Sequence, residues 1–403
     1  ISQHEKTANA LRGASALLPA VDSMTTLWTC AASNLDVISE VPVERWQVTE
    51  ETKGLPAGFL AGATLFDATA FAISAVEARS MDPQQRLLLE RSYQALHDAM
   101  LCRASLVDTT VGVAVAVGQD GFGSLLSADV AMGAYAATGS ALVVPIASGR
   151  ISYSLGLRGP CISVDTACSS SLVACHVMSD TLPLPEITDS VAAGVNMILL
   201  PNLSLILAAS GMMSARGRCH SFDQRADGYG RSEACCAATL SDSSASRSFD
   251  ISCDTAIRQD GKSASLTAPN GMAQRRLLAT TVSIAGLATS DYSILEAHGT
   301  GTALGDPQEV GAIVSVFGAA IDVTSMKSNV AHTEMGAGLT GVLKLLTLEV
   351  QKCVAPNAQL RILNQHVGIA MQNAACGFPV QLSGCPDDGT ISHMSSVGGV
   401  SSF

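Results

Sequence analysis

Two periods of apolar spacing alternate along this chain and set out its elements. Residues Asp82 to Met100 predict an amphipathic helix, and the short apolar run Val111 to Val117 predicts a strand. Strands at Cys161 to Asp165 and Val191 to Leu199 continue the series. Between Leu240 and Phe249 the chain turns polar and serine-rich, the best internal boundary, dividing residues 1–245 from 246–403. Beyond it follow a strand at Ile251 to Ile257, a helix at Met272 to Ala285 and a strand at Ser293 to Glu296. Helices at Pro307 to Phe317 and Leu339 to Val350 complete the second block. Strands and helices alternating in two successive blocks imply a layered α/β architecture.

One stretch, Val191 to Met213, is apolar enough to suggest a membrane span, but it carries Asn196, Pro201, Asn202 and Ser204. Pro201 breaks a single helix. A strand, a turn and a buried helix from Leu203 to Met212 fit better, so no membrane span is expected. Gln3 to Lys6 is polar and no apolar core of secretory length follows it.

Composition narrows the class. The chain of 403 residues is 47% hydrophobic and only 14% charged, which leaves surface for a partner subunit to cover. A net charge of −12 argues against nucleic acid, whose binding needs clustered Lys and Arg. The twelve cysteines show no C-x-x-C pairing and read as buried free thiols, placing the chain in the cytoplasm or another reducing compartment. No metal site is expected. Cys161, Cys168 and Cys175 are seven apart, but with the first on a strand and the last on a helix the spacing is accidental.

Val164-Asp165-Thr166-Ala167-Cys168-Ser169-Ser170-Ser171-Leu172 places one cysteine where an apolar strand gives way to a small-residue helix. The unpartnered N–H groups of a helix start favour an anion and lower a thiol's pKa. The plain alternative is a structural cysteine. Two histidine segments weigh against it: Glu296-Ala297-His298-Gly299-Thr300-Gly301-Thr302, and Lys327-Ser328-Asn329-Val330-Ala331-His332-Thr333-Glu334. Each histidine alone is an ordinary core or surface group. A cysteine, two loop histidines and a lysine, each ending an apolar element, make a nucleophile with imidazoles able to serve an oxyanion.

With these segments the chain resembles the beta-ketoacyl synthases of modular polyketide and animal-type fatty acid synthases. Val41-Pro42-Val43-Glu44-Arg45-Trp46, Met81-Asp82-Pro83-Gln84-Gln85-Arg86, Gly149-Arg150-Ile151-Ser152-Tyr153, Ala226-Asp227-Gly228-Tyr229 and Leu266-Thr267-Ala268-Pro269-Asn270-Gly271 match in the same order. The resemblance implies the thiolase fold, a duplicated five-layered α-β-α-β-α arrangement that forms homodimers. It implies Cys168 as the acylated nucleophile, His298 and His332 as donors to an enolate oxygen, and Lys327 as keeper of the second histidine. Thr300 and Thr302 match threonines that contact the pantetheine arm, with Asn329 counted among the substrate contacts. Asp306 and Glu309 brace their loop. No cofactor is needed by the domain, because substrates ride on the phosphopantetheine of an acyl carrier protein, the implied partner beside other synthase domains.

The sequence departs from the pattern in places. Ala331 stands where glycine usually precedes the second histidine, a small change if φ there is negative. Arg231-Ser232-Glu233-Ala234 replaces Arg-Gly-Glu-Gly, and Asn9 to Pro19 is a poor version of the first strand. After Val400-Ser401-Ser402-Phe403 the pattern continues into a glycine-rich loop with a gating phenylalanine and a second oxyanion-hole donor; half that hole and an edge strand are then expected to be absent. Gly336-Ala337-Gly338-Leu339-Thr340-Gly341 fits a dinucleotide fingerprint, but it follows no strand directly, so its glycines are read as close helix contacts. Two alternatives stand beside a condensing enzyme: a degradative thiolase, which lacks the two-histidine pattern, and a non-elongating or non-catalytic partner subunit, which usually loses the cysteine or a histidine.

Overall fold

The structure, a computed structural model, describes residues 9–118, 121–126, 144–184, 186–242, 251–265, 268–318, 321–371, 374, 376–384 and 397–403. Gln3 to Lys6, Leu266-Thr267 and most of the predicted 240–249 boundary lie outside the described residues.

In chain order the strands are β1 (Asn9–Leu17), β2 (Gly112–Ala116), β3 (Cys161–Val164), β4 (Asp189–Asn196), β5 (Ala234–Asp242), β6 (Ile251–Ser252), β7 (Tyr292–Glu296), β8 (Ile321–Thr324), β9 (Cys376–Gly377) and β10 (Val397–Val400). They form a mixed sheet in the order β3-β2-β4-β5-β1-β6 and a parallel sheet in the order β10-β7-β8-β9. Helices Pro83–Asp98 and Ala147–Leu155 cover the outer face of the first sheet. Helices Met24–Ala32, Ser170–Thr181 and Ala337–Gln351 share one apolar core between the sheets, with Leu27, Met178, Ala192, Ile294 and Leu343. Helices Gly271–Ala285, Gly305–Phe317 and Gln365–Ala370 close the outer face of the second sheet around Leu278, Val310, Ile313 and Val367. The layers run α-β-α-β-α, as the resemblance implies.

The middle layer explains the small residues. A Cβ on Gly338 would come within 2.5 Å of Leu172, and one on Gly194 within 2.9 Å of Ser171. The glycines let the Ala337–Gln351 helix lie directly on the Ser170–Thr181 helix and β4, as the close-contact reading expects. Glu296 and Lys344 pair at 2.7 Å with side chains 4% and 0% exposed, tying β7 to the same helix.

Some expectations need correction. Asn9–Leu17 is no poor strand: it lies inside the first sheet between β5 and β6. Gly13 lets it pass beneath the Pro83–Asp98 helix, where a Cβ would sit 2.1 Å from the Ala95 carbonyl oxygen. The strand expected at Ile251 to Ile257 is short: Ile251 and Ser252 pair with β1, and the Cys253 N–H donates to the Asn9 carbonyl at 2.8 Å. The helix after Pro201 spans Asn202–Ala209 and is not buried, with Leu203 42% and Ile206 64% exposed. It turns Ser204 inward because Ser204 Oγ accepts a 2.7 Å hydrogen bond from Arg231, which sends the apolar side outward. Cys102 and Cys161 are exposed thiols, and Cys353 is disulfide-bonded, so the cysteines are not uniformly buried and free. Among the described residues no helix is long and apolar enough to cross a membrane.

Candidate active site

Cys168 sits at the turn between β3 and the Ser170–Thr181 helix. Asp165 Oδ1 accepts the Ala167 N–H at 3.1 Å, and Ser170 Oγ accepts the Thr166 N–H at 2.7 Å while donating to the Ala167 carbonyl. Ala167 itself is left-handed, with φ +54°. This tight elbow presents the half-buried sulfur to the interior, where the thiol donates to the Phe403 carbonyl oxygen at 2.7 Å. Burial pushes the Cys168 thiol above its ordinary pKa, opposed by the charge of Lys327. The sequence expectation of a lowered thiol pKa is thereby reversed, because desolvation outweighs the helix start.

His298 follows β7 on a loop whose left-handed glycines, Gly299 (φ +46°) and Gly301 (φ +76°), turn it tightly. Buried carboxylates hold this loop. Glu309 accepts the N–H groups of His298 (2.6 Å) and Gly299 (2.9 Å) and the Ser401 hydroxyl (2.8 Å). Asp306 accepts from Phe222, Gly301 and Thr302 N–H, and burial pushes its pKa up to about 7. Both therefore brace the loop, as read from the sequence.

His332 follows the short helical turn Lys327–Val330, whose cap, Ala331, has φ +61° and ψ −167°. The negative φ supposed for Ala331 is not what the fold adopts. The His332 backbone is fixed on both sides, its N–H donating to Gly230 and its carbonyl accepting from Ser232, each at 2.8 Å. Ser232 is thus absorbed into the frame of the site and is fully buried. On the ring, Nδ1 accepts the Glu334 N–H at 3.0 Å, and Glu334 is anchored by a two-contact ion pair with Arg231 at 2.5 and 3.0 Å.

These three side chains, distant in sequence, converge. The Cys168 sulfur and one nitrogen from each of His298 and His332 all lie within 4.8 Å of one another. The imidazoles stand edge to face, centroids 5.5 Å apart at 88°. Burial, followed by the positive charge of Lys327, pushes both imidazoles well below the ordinary histidine pKa, so both are neutral at pH 7. Lys327 is 8% exposed and borders a closed void of about 10 Å³ shared with Glu296, Thr333, Thr340 and Ser401, room for about one water.

Thr300 and Thr302 face each other on the histidine loop, hydroxyls 3.3 Å apart, and Thr302 also accepts the Gly305 N–H. Asn329, expected among the substrate contacts, has its side chain turned toward the N-terminal helix. It is fully buried, its amide donating to the Cys30 and Leu35 carbonyls at 3.1 Å, which pins the turn to the N-terminal helix. Sequence reasoning missed Ser402 and Phe403. The Phe403 ring packs on His298 at 5.9 Å, and Ser402 Oγ donates to the Cys168 carbonyl at 2.8 Å. Strand β10 leads them there along β7, at the edge of the second sheet, and the signal available was the paired serines after its apolar run. Tyr229, quoted for the resemblance alone, packs edge-on against His332 at 5.3 Å.

Comparison with known proteins agrees with this arrangement. The model of the beta-ketoacyl synthase N-terminal domain matches residues 10–245, and that of the C-terminal domain matches residues 251–361. The chain belongs to the beta-ketoacyl synthase family. The pikromycin polyketide synthase component PikAII of Streptomyces venezuelae is 39% identical over 360 residues, covering 84% of this chain and 10% of the relative. Erythronolide synthase EryA3 of Saccharopolyspora erythraea is 40% identical over 338 residues, 80% of this chain and 10% of the relative. The chain therefore spans about a tenth of each of these two relatives. Among solved structures, the ketosynthase from module 6 of the bacillaene synthase of Bacillus subtilis 168 superposes with a TM-score of 0.85 at 30% identity. That match covers 94% of this chain and 68% of the other. The oxazolomycin ketosynthase domain OzmH KS7 of Streptomyces albus JA3453 gives 0.85 at 31% identity over the same shares. The fold is thus the thiolase-like fold of ketosynthase domains.

Proposed function

We propose that this ketosynthase performs decarboxylative carbon–carbon condensation as an acyltransferase, with Cys168 as nucleophile. The observation that carries the reading is the meeting of one sulfur and two neutral imidazoles within 4.8 Å beside a buried lysine. Cys168 attacks an acyl thioester and releases the carrier thiol, forming an acyl-enzyme. A malonyl-type thioester then loses carbon dioxide, and the enolate carbon attacks the acyl group and frees the Cys168 thiolate. The enolate oxygen is served by His332 and His298 with Lys327 close by; one such donor is worth about 2.7–4 kcal/mol.

The substrates fit thioesters on the phosphopantetheine of an acyl carrier protein, with Thr300 and Thr302 toward the arm. On this reading the nucleophile half is residues 1–245 and the two-histidine half 246–403, inside a larger synthase. A homodimer is supported by β3, an edge strand whose Cys161 and Ile162 are exposed. No observation favours a non-catalytic partner subunit. The test is Cys168→Ala incubated with a radiolabelled acyl carrier protein: label transfer and condensation both vanish on this reading, and retained condensation refutes the nucleophile.

A further inference from the structure

Strands β2, β3 and β4 run parallel to one another, so their carboxyl ends open on one crevice, the place where α/β sheets take ligands. Cys168 lies just past the end of β3, Gly118 just past β2 and Leu200 just past β4. One side chain crosses that crevice. Met335, half-buried, follows His332 on the turn Glu334–Gly336. Its Sδ lies 3.3 Å from Ser170 Oγ, at the start of the helix behind Cys168. Its methyl reaches the end of β2, where a Cβ on Gly118 would stand 2.8 Å from Met335 Cε. Its backbone carbonyl lies on β4, the oxygen 3.0 Å from where a Cβ on Gly194 would be. The side chain that Gly118 lacks is therefore the room that Met335 fills.

We propose that Met335 is a specificity-determining residue for the acyl group that Cys168 carries, its thioether closing the crevice so that short chains fit and long ones meet it. The inference rests on the proposed condensing function and names the class of acyl group it takes. The polar groups about the sulfur, the two imidazoles and Lys327, serve the reacting carbonyl. An acyl tail needs apolar surface instead, and Met335, held between the Cys168 elbow and the end of β2, supplies it. Methionine suits the place. Unbranched and adaptable, it fills an irregular gap, while Gly118 and Gly194 let it lie directly on the strand ends. One methylene too many in an apolar pocket changes a substrate's kcat/KM by about 10- to 200-fold, so a single side chain here is enough to set chain length.

The test follows acylation of Cys168 by intact mass with acetyl, butyryl, hexanoyl and octanoyl pantetheine thioesters. Wild type should take butyryl at least about 10-fold faster than octanoyl. Met335→Ala should erase most of that preference, and Met335→Leu, which keeps the volume, should retain it. Peroxide oxidation of Met335 to its sulfoxide, read by peptide mass in the wild-type protein, gives a measure that needs no variant. A butyryl group on Cys168 should slow that oxidation, because the chain ends against the thioether. A wild type that takes octanoyl as fast as butyryl overturns the proposal. So does an unchanged preference in Met335→Ala, or Met335 oxidation at the same rate in free and acylated protein. Those results, obtained with Cys168 still labelled, sink this inference alone, whereas no labelling by any chain length sinks the function.

Discussion

Replacing Ala331 by glycine should stabilise the protein, although it removes a buried methyl from the residue beside His332. Ala331 has φ +61° and ψ −167°, backbone space that glycine alone occupies readily, and a non-glycine residue there costs up to about 3 kcal/mol. Against that gain stand about 0.8 kcal/mol for the lost methyl burial and about 0.5–1 kcal/mol for the extra freedom of an unfolded glycine. At the upper end of that strain the net is about 1–2 kcal/mol in favour of the variant. For 403 residues the unfolding entropy is about 0.85 kcal/mol/K, so Tm should rise by about 1–2 °C in differential scanning calorimetry. Ala279→Gly, at an exposed position within the Gly271–Ala285 helix, is the control and should lose about 1 kcal/mol. An Ala331→Gly variant that is no more stable than wild type, or falls with the control, refutes the strain argument.

Lys344→Met should cost about 3–5 kcal/mol, read by urea denaturation, because it strands the Glu296 carboxylate in the core; the double variant Glu296→Gln/Lys344→Met should recover most of that loss. An equal loss in single and double variants would show that the ion pair is not what the substitution breaks. Lys327→Met removes a positive charge that depresses both imidazoles, so their pKa values should rise toward the ordinary range. Activity that needs neutral imidazoles fails as pH falls through those values, so the acid limb of the rate profile should move to higher pH. An acid limb that stays in place or moves lower contradicts the assigned role of Lys327. The same depressed values bear on folding: the unfolded chain takes up protons first as pH falls below about 6.5, so stability should decline there, less steeply in His298→Gln. A urea midpoint independent of pH between 7 and about 5 in both proteins would exclude that linkage.

The periodicity exposed the layers because each strand and helix buries one face or both, and those patterns are local. Cys168, His298, His332 and Lys327 were legible for the same reason, each ending an apolar element. What was not legible depends on packing partners. Ser204 turns its helix outward to meet Arg231, Asn329 is drawn away by the Cys30 and Leu35 carbonyls, and Ala331 is forced left-handed by bonds on either side of it. The thiol pKa was misjudged in sign because a helix start is visible in sequence and desolvation is not. Ser402 and Phe403 escaped because nothing local says that β10 delivers them to a sulfur 234 and 235 residues earlier.

The central claim is that one sulfur carries the acyl chain while the facing imidazoles and lysine support its condensation. The most direct test is mass spectrometry of the Cys168 peptide after an acyl pantetheine thioester is added, and again after a malonyl carrier protein follows. The account predicts an acyl adduct on Cys168 that clears on the second addition, with release of carbon dioxide and a 3-oxoacyl product two carbons longer. An adduct on another residue, or a Cys168 adduct that persists while no 3-oxoacyl product forms, would contradict it.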